Sequence, residues 1–299
     1  MSFSSNVKAE LCRQPMVRRQ SALAEAYGVL LYCNTFTPSA VRVITESRDF
    51  AERLPRLFKK AFGVSFDELP EDGEPGKLLF EIGQKEKLEK IFAALDMSEA
   101  GAVTLHVNFG LLEEEPEQLA FFRGAFLAGG SVTDPAKRYH LELATPHLKV
   151  SAEASVLLRE TGFSAKETTR AGNSILYFKQ SDTIEDFLTA IGAQVSAMGV
   201  MEAKVEKDLR NGVNRRVNCE TANLSKAVDA SFEQLAAIRK LEEAGVLETL
   251  PAKLQDTARL RRENPEATLS ELAEMPDPPV SKSAVNHRMR KLIELSKTL

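Results

Sequence analysis

The sequence predicts an α+β domain made of two pseudo-symmetric repeats, followed by a second, all-α domain. Three observations support this fold class. Segments with helix and strand periodicity alternate between residues 20 and 195. Their order begins again near residue 116, and the chain beyond residue 220 shows only helical periodicity. A length of 299 residues and a hydrophobic fraction of 43% allow both domains to bury a core.

Composition narrows the classes of protein to consider. The chain carries 39 basic and 43 acidic side chains, so any DNA binding must come from a local basic surface and not from overall charge. No apolar run approaches the roughly 20 residues of a membrane span, and the N-terminus lacks a signal-peptide pattern. We therefore expect a cytoplasmic protein with no membrane partner. Cys12, Cys33 and Cys219 are widely separated, which indicates reduced thiols and neither disulfides nor a zinc site.

The first repeat covers about residues 20–96. Apolar periodicity of 3.6 predicts its helices, and β-branched or alternating runs predict its strands. In chain order the predicted elements are a helix over Ser21–Cys33, a strand over Val41–Thr45, a helix over Phe50–Phe62, an acidic loop over Pro70–Gly76, a strand over Lys77–Ile82 and a helix over Lys85–Leu95.

The second repeat covers about residues 116–195 and follows the same order. The acidic run Glu113–Glu115 precedes its first helix and suits the positive end of the helix dipole; a metal site is the less favoured interpretation. The predicted elements are helices over Pro116–Ala128, Leu148–Glu160 and Asp182–Ile191, with strands over Tyr139–Leu143 and Ser174–Phe178.

A single offset of 96 residues relates the two units. It aligns Gly28 with Gly124 in the first helices and Leu95 with Ile191 in the last ones. Glycine inside a helix costs roughly 1 kcal/mol against alanine, so we expect the two first helices to meet where these glycines allow close backbone approach. The alternative for the stretch Phe121–Ser131 alone is an ordinary core helix with a glycine C-cap.

A basic segment separates the two predicted domains. Val195–Leu209 has helical periodicity, and Asn211-Gly212 then predicts a helix break. We place a linker at residues 206–220, between a domain over 1–205 and a domain over 221–299. The segment also contains three predicted contacts to the DNA backbone, Arg210, Arg215 and Arg216.

The C-terminal domain has the order of a helix-turn-helix motif. Long helices are predicted over Ala222–Ala244 and Leu250–Arg262. A capping box of Thr268 and Glu271 then begins a short helix, and Met275–Pro279 ends it. A final helix follows Ser281 and carries an apolar face. The turn contains three prolines and is longer than in common examples of the motif.

Basic and amide side chains on the other face of the final helix predict DNA contacts. Arg and Lys can bind phosphate or guanine, and Asn can pair with adenine in the major groove. The alternative is an ordinary surface helix with a solvated basic face. His287 has no neighbouring acids or cysteines in sequence, so a phosphate contact or packing at the helix edge is favoured over a metal. The candidate DNA-binding residues are Thr268, Ser270, Ser281, Lys282, Ser283, Asn286, His287, Arg288, Arg290 and Lys291.

Several collinear segments together resemble the WhiA regulators of Gram-positive bacteria. They are Met1–Ser4, Phe122–Val132, Tyr139–Glu142, Asn214–Arg216, Asn218–Glu220 and Ser281–Arg288. The resemblance covers essentially the whole chain. It implies a LAGLIDADG homing-endonuclease-like domain joined to a helix-turn-helix domain, and a DNA-binding role linked to cell division, chromosome segregation and, in spore formers, sporulation.

The same resemblance implies the loss of nuclease chemistry. In active nucleases of this type each signature helix ends with an acid that holds a catalytic metal. When this sequence is aligned with that signature, the positions of the metal-binding acids fall on Gly129 and near Cys33, and neither residue has a carboxylate. Asp134 could substitute in the second repeat, but residues 34–38 offer no counterpart in the first. No metal or other cofactor is therefore expected.

Three functions follow from these observations. The favoured one is a sequence-specific transcriptional regulator that binds double-stranded promoter DNA. Such a protein would associate with the nucleoid, and another regulatory protein is a further candidate partner. The second is a protein-interaction scaffold, which the acidic residues of the N-terminal domain keep open. The third and least favoured is an active site-specific endonuclease. The acidic residues concerned are Glu68, Glu71, Asp72, Glu74 and Glu113–Glu115.

Overall fold

The computed structural model describes residues 2–71, 76–97 and 104–299, which form two compact units that divide after Asp208. The predicted loop over residues 70–76, with Asp72 and Glu74, lies largely outside the described residues. The first unit begins with α1 (Phe3–Cys12), whose helix the sequence patterns did not predict. The first repeat follows as α2 (Arg19–Tyr32), β1 (Thr35–Thr37), β2 (Ala40–Thr45), α3 (Arg48–Phe62), β3 (Leu78–Ile82) and α4 (Lys85–Ala94).

The second repeat has the same order with one strand added. A short 3₁₀ turn at Phe109–Leu111 precedes it. Its elements are α5 (Glu115–Gly129), β4 (Gly130–Val132), β5 (Leu141–Thr145), α6 (Leu148–Glu160), β6 (Lys166–Arg170), β7 (Asn173–Phe178) and α7 (Ser181–Ile191).

Both sheets are antiparallel. The first has the order β1-β2-β3 and the second β4-β5-β7-β6. The sequence patterns missed β1, β4 and β6. The first two are only three residues long, and every residue of β6 is exposed, so β6 has no alternation of buried and exposed side chains to reveal it.

The first helices of the repeats, α2 and α5, pack at the centre of the unit. A Cβ atom built on Gly28 would lie 2.0 Å from the Phe121 carbonyl oxygen, and one on Gly124 would lie 1.9 Å from the Glu25 carbonyl oxygen. Only glycine permits this backbone approach, so the predicted role of both glycines is confirmed. Gly130 is the C-cap residue of α5, but it is extended (φ −91°) and begins β4, so it does not adopt the left-handed conformation of the usual glycine cap.

The long helix α8 (Gln194–Glu243) is continuous over 50 residues. The helix break predicted at Asn211-Gly212 is therefore wrong, and residues 206–220 are helical. A glycine in a helix costs only about 1 kcal/mol against alanine, and the surrounding hydrogen-bonded turns of a long helix offset that cost. Arg210, Arg215 and Arg216 are exposed residues of this helix.

The second unit contains the C-terminal part of α8 and three further helices. They are α9 (Ala252–Glu263), α10 (Leu269–Glu274) and α11 (Lys282–Lys297), with a 3₁₀ turn at Leu247–Thr249. Apolar side chains from all four helices form one core, which consists of Ile238, Leu241, Leu254, Ala258, Leu272, Ala273, Val285, Met289 and Leu292.

Candidate nucleic-acid interface

Helices α10 and α11 form the predicted helix-turn-helix. The capping box at the start of α10 is confirmed: the Thr268 hydroxyl accepts from the Glu271 backbone N–H at 3.3 Å, and the Thr268 N–H donates to the Glu271 carboxylate at 2.6 Å. Across the turn, the Val280 N–H donates to the Ala273 carbonyl oxygen at 2.9 Å. The Ser281 hydroxyl caps α11 by accepting from the Ala284 N–H. These bonds satisfy backbone donors at both helix starts.

The buried face of α11 fixes which side chains point outward. Val285, Met289 and Leu292 are buried in the core of the unit, while Ile293 is only half-buried. At about 100° per residue, the outward surface then runs along the helix on the side opposite to this core. Its exposed members are Ser283, His287, Arg290, Lys291 and Glu294, with Asn286 half-buried at one edge, whereas Lys282 is exposed at the start of the helix on the same side as Met289.

Arg288 differs from the other candidates on α11. It is half-buried, and its Nη1 donates to the Thr257 hydroxyl of α9 at 3.4 Å. Arg288 lies two positions after Asn286 and two positions before Arg290, which places it about 200° around the helix axis from each of them. The structure thus brings most of the predicted residues of α11 to one surface and sets Arg288 against α9.

The start of α10 adds two exposed candidates. Thr268 and Ser270 are exposed. The Thr268 hydroxyl is already engaged with Glu271 in the cap. Serine and threonine hydroxyls at helix starts are frequent phosphate contacts in DNA complexes.

Arg261 positions this motif and escaped the sequence patterns. It is 2% exposed, and its Nη1 donates to the carbonyl oxygens of Asn264, Pro265 and Ala267 at 3.4, 3.3 and 2.6 Å. It therefore holds the loop that leads from α9 into the α10 cap. Nothing in the run Arg259-Leu260-Arg261-Arg262 distinguishes the buried arginine from the exposed ones, although the following Asn264-Pro265 turn offers carbonyl acceptors.

The ends of α2 and α5 carry no carboxylate at Cys33 and Gly129, the two positions where active nucleases have a metal-binding acid. A Cβ atom on Gly129 would lie 2.3 Å from the Ala144 carbonyl oxygen, so the backbone itself occupies the space of a side chain. Cys33 is buried, its thiol donates to the Leu30 and Thr35 carbonyl oxygens, and burial raises its pKa to about 12. A neutral, hydrogen-bonded thiol is a poor ligand for a hard cation.

Asp134 does not restore the missing acid. Its Oδ1 accepts from the Ala136 N–H at 2.9 Å, and its carbonyl oxygen accepts from Lys137 and Arg138. It therefore shapes the connection between β4 and β5. Among residues 2–71, 76–97 and 104–299, no three His, Cys, Asp or Glu side chains are arranged to hold a metal ion.

Fold and motif together define a class: proteins that join a two-repeat LAGLIDADG-like domain to a C-terminal helix-turn-helix domain. Residues 118–210 match the model of the WhiA LAGLIDADG-like domain, and residues 213–296 match that of the WhiA C-terminal HTH domain. The chain belongs to the WhiA family.

Relatives of full length support this assignment. The "Probable cell division protein WhiA" of Clostridium perfringens (strain 13 / Type A) is 34% identical, in a match that covers 100% of this chain and 98% of the relative. The protein of that name in Alkaliphilus metalliredigens (strain QYMF) is 35% identical over 99% of this chain and 98% of the relative.

A solved structure supports the fold. The full-length DUF199/WhiA protein from Thermatoga maritima has a TM-score of 0.60 and 24% identity, and the match covers 100% of this chain and 99% of that one. In the described parts of the chain, no helix combines the length and the hydropathy of a bilayer-spanning segment.

Proposed function

We propose that this chain is a sequence-specific DNA-binding regulator of transcription that acts in cell division and chromosome segregation and, where the host forms spores, in sporulation. The observation that carries the proposal is the outward surface of α11, where Arg290 and Lys291 are exposed beside Asn286, with Lys282 exposed at the start of the helix. Cations of this kind bind phosphates, and an amide at the groove can distinguish bases. Binding to promoter DNA in turn implies a cytoplasmic, nucleoid-associated protein.

The proposal includes the loss of nuclease activity. Strand cleavage of this kind uses carboxylates to hold metal ions at the attacking and leaving oxygens. Gly129 and Cys33 supply no such ligands, and the Ala144 carbonyl oxygen blocks a side chain at position 129. Metal-dependent linearisation of plasmid DNA carrying a bound promoter, abolished by chelation, would contradict this part of the proposal.

DNA binding is tested with the full-length protein and variants of α11. The double variant Arg290→Ala/Lys291→Ala should weaken binding to a promoter fragment about uniformly across sequences and lower the salt dependence, because it removes phosphate contacts. Lys253→Ala on α9 is the matched control, since Lys253 is also exposed but lies on another helix. Equal affinities and equal salt slopes for the double variant and the control would refute the proposal.

A protein-interaction scaffold is the second candidate function. Large apolar side chains are exposed along the part of α8 that belongs to the second unit: Val213, Val217, Leu224, Val228 and Phe232. Exposed apolar patches often mark sites of protein contact. A regulator requires DNA for its cellular role, whereas a scaffold does not. A strain that carries the Arg290→Ala/Lys291→Ala variant should therefore lose function in the first case and keep it in the second.

A further inference from the structure

A polar cleft of about 510 Å³ lies in the first unit, where α1 begins and where α2 and α5 end. It adjoins both positions that have lost a metal-binding acid: Asn34 follows Cys33, and Ala128 precedes Gly129. Its walls come from α1, from the end of β2 and from the residues just after α2. The lining residues used below are Ser4, Lys8, Asn34, Thr45, Ser47 and Lys77.

Lys8 is a cation without a counter-ion in this cleft. Its Nζ donates to the Leu127 carbonyl oxygen at 3.0 Å, and no carboxylate of the described residues lies within ion-pair distance of it. Burial lowers the pKa of Lys8 to about 8. Cys12 is the one titratable group with a marked influence on the pKa of Lys8. Burial raises the pKa of the Cys12 thiol to about 12, so this thiol is neutral. A partly buried charge with no opposite charge costs stability.

The rest of the lining presents hydrogen-bond donors. Four side chains use an oxygen to accept a backbone N–H, which leaves their O–H or amide N–H groups to donate. They are Ser4 (from Val132, 3.4 Å), Asn34 (from Ile44, 2.8 Å), Thr45 (from Ser47, 3.0 Å) and Ser47 (from Phe50, 3.4 Å).

The charge of the cleft is positive. Lys77 adds a second, exposed ammonium group at its edge, and Glu46 is the one carboxylate among the lining residues that are described. Donors combined with two ammonium groups match an anion with several acceptor oxygens. A phosphate group has three or four such oxygens, more than a carboxylate can offer to these donors.

We propose that this cleft binds a phosphate group, with the Lys8 ammonium as its counter-ion and the surrounding hydroxyl and amide groups as hydrogen-bond donors. A cationic side chain thus replaces the divalent metal of the nuclease relatives at these helix ends. The phosphate belongs either to a small phosphate ester or to the backbone of DNA, and the chemistry of the site is the same for both.

The probe for this site is inorganic pyrophosphate, added to the full-length protein at constant ionic strength while the melting temperature is measured. A ligand that binds the folded state raises that temperature in a saturable way. We expect saturation for the wild type. For Lys8→Met we expect a half-saturating concentration at least about tenfold higher, as the loss of a charge-assisted hydrogen bond implies. Lys149→Met, an exposed lysine on α6, is the matched control and should behave as the wild type.

Two further variants separate binding from folding. Lys8→Arg keeps the charge and should retain saturable stabilisation. Lys77→Met changes an exposed side chain, so it cannot disturb the core, and it should raise the half-saturating concentration as well. The proposal is overturned if pyrophosphate gives no saturable shift in the wild type, or if Lys8→Met and Lys77→Met respond as the wild type does.

DNA titrations identify the source of the phosphate. If the cleft holds the DNA backbone, Lys8→Met lowers the salt slope of duplex binding by about one phosphate contact, and pyrophosphate competes with DNA. If the cleft holds a small phosphate ester, duplex binding is the same in wild type and Lys8→Met, and pyrophosphate does not compete. Either result, together with saturable binding of pyrophosphate, supports a phosphate site.

Discussion

Glu25 and Arg53 form an ion pair in which both side chains are only 2% exposed, with Nε–Oε1 at 2.6 Å and Nη2–Oε2 at 2.8 Å. Glu25 also accepts from Arg123 of α5 at 3.4 Å. The remaining Arg53 donor, Nη1, binds the carbonyl oxygens of Cys12 and Gln14. The Glu25 carboxylate thus connects α2, α3 and α5 between the repeats, and Arg53 extends the network to the end of α1 and the residues after it.

Glu25→Gln should destabilise the first unit by about 3–5 kcal/mol, because it leaves the buried Arg53 guanidinium without its counter-ion. The free energy of unfolding in urea measures this. Arg42→Met is the control, since it removes an ion pair with Glu81 in which Arg42 is 52% exposed; it should cost no more than about 1 kcal/mol. If Glu25→Gln lowers the free energy of unfolding as little as the control does, the buried ion pair does not stabilise the contact between the two repeats.

Gly28→Ala should destabilise the same unit by about 3 kcal/mol or more, because the added methyl group meets the Phe121 carbonyl oxygen at 2.0 Å and the backbones must separate. Gly212→Ala is the matched control within a helix. Nothing lies within 4 Å of a Cβ atom there, so alanine should stabilise α8 by roughly 0.5–1 kcal/mol. Thermal unfolding measures both changes. A loss of stability in Gly212→Ala would argue against a continuous α8.

These two glycines show what a sequence can predict. Gly28 is predictable because the repeat pairs it with Gly124, and internal symmetry implies a shared seam. Gly212 is not, because the local preference of Asn-Gly for a turn competes with the cooperativity of a 50-residue helix. Helical periodicity places most of the candidate residues of α11 on its outward surface, whereas Arg288 lies against α9. Arg261 and Lys8 could not be predicted, since the burial of a single cation depends on tertiary packing.

The pH dependence of stability should reveal the burial of Lys8. Its pKa is about 8 in the folded protein against an ordinary value of 10.5. Below pH 8 the side chain is charged in both states, and the folded state bears the cost of burial. Between pH 8 and 10.5 the unfolded state binds more protons, so the contribution of Lys8 to stability rises with pH. Above 10.5 the cost is absent.

The measurement is the difference in unfolding free energy between wild type and Lys8→Met across this range. The wild type should gain up to about 3 kcal/mol relative to the variant as pH rises from 8 to 10.5, because each tenfold change in proton affinity corresponds to about 1.4 kcal/mol. Cys12 also titrates at high pH; it is present in both proteins, and Lys8 is the smallest of the influences on its pKa, so the difference reports mainly on Lys8. A flat difference would mean that Lys8 is not buried as a cation.

The first turn of α10 should be less stable without its capping box. Thr268→Ala removes the acceptor for the Glu271 N–H and should cost about 1 kcal/mol of stability in the second unit. The backbone N–H of Thr268 and then its hydroxyl hold the pKa of Glu271 below its ordinary value. The alanine variant keeps the N–H and loses the hydroxyl, so carboxylate titration by NMR should show a partial rise of that pKa. An unchanged Glu271 pKa would mean that the Thr268 hydroxyl does not act on the Glu271 carboxylate.

Substitutions of Asn286 and Arg288 should distinguish a residue that recognises a base from a residue that packs the final helix. Asn286 lies at the edge of the outward surface, whereas Arg288 donates to Thr257 of α9. An amide that pairs with one base contributes about 1–3 kcal/mol of discrimination there. Asn286→Ala should therefore relax the preference at one base pair of the bound site and leave the other positions unchanged.

Arg288→Ala should lower the melting temperature of the protein and leave base preference intact, because its guanidinium contacts protein and not the outward surface. Binding to a library of single-base variants of one promoter site measures both effects in parallel. A loss of preference at one base in Arg288→Ala, with none in Asn286→Ala, would mean that DNA meets the opposite side of α11. The packing of α11 on α9 would then have to change on binding, since Val285, Met289 and Leu292 fix the present orientation.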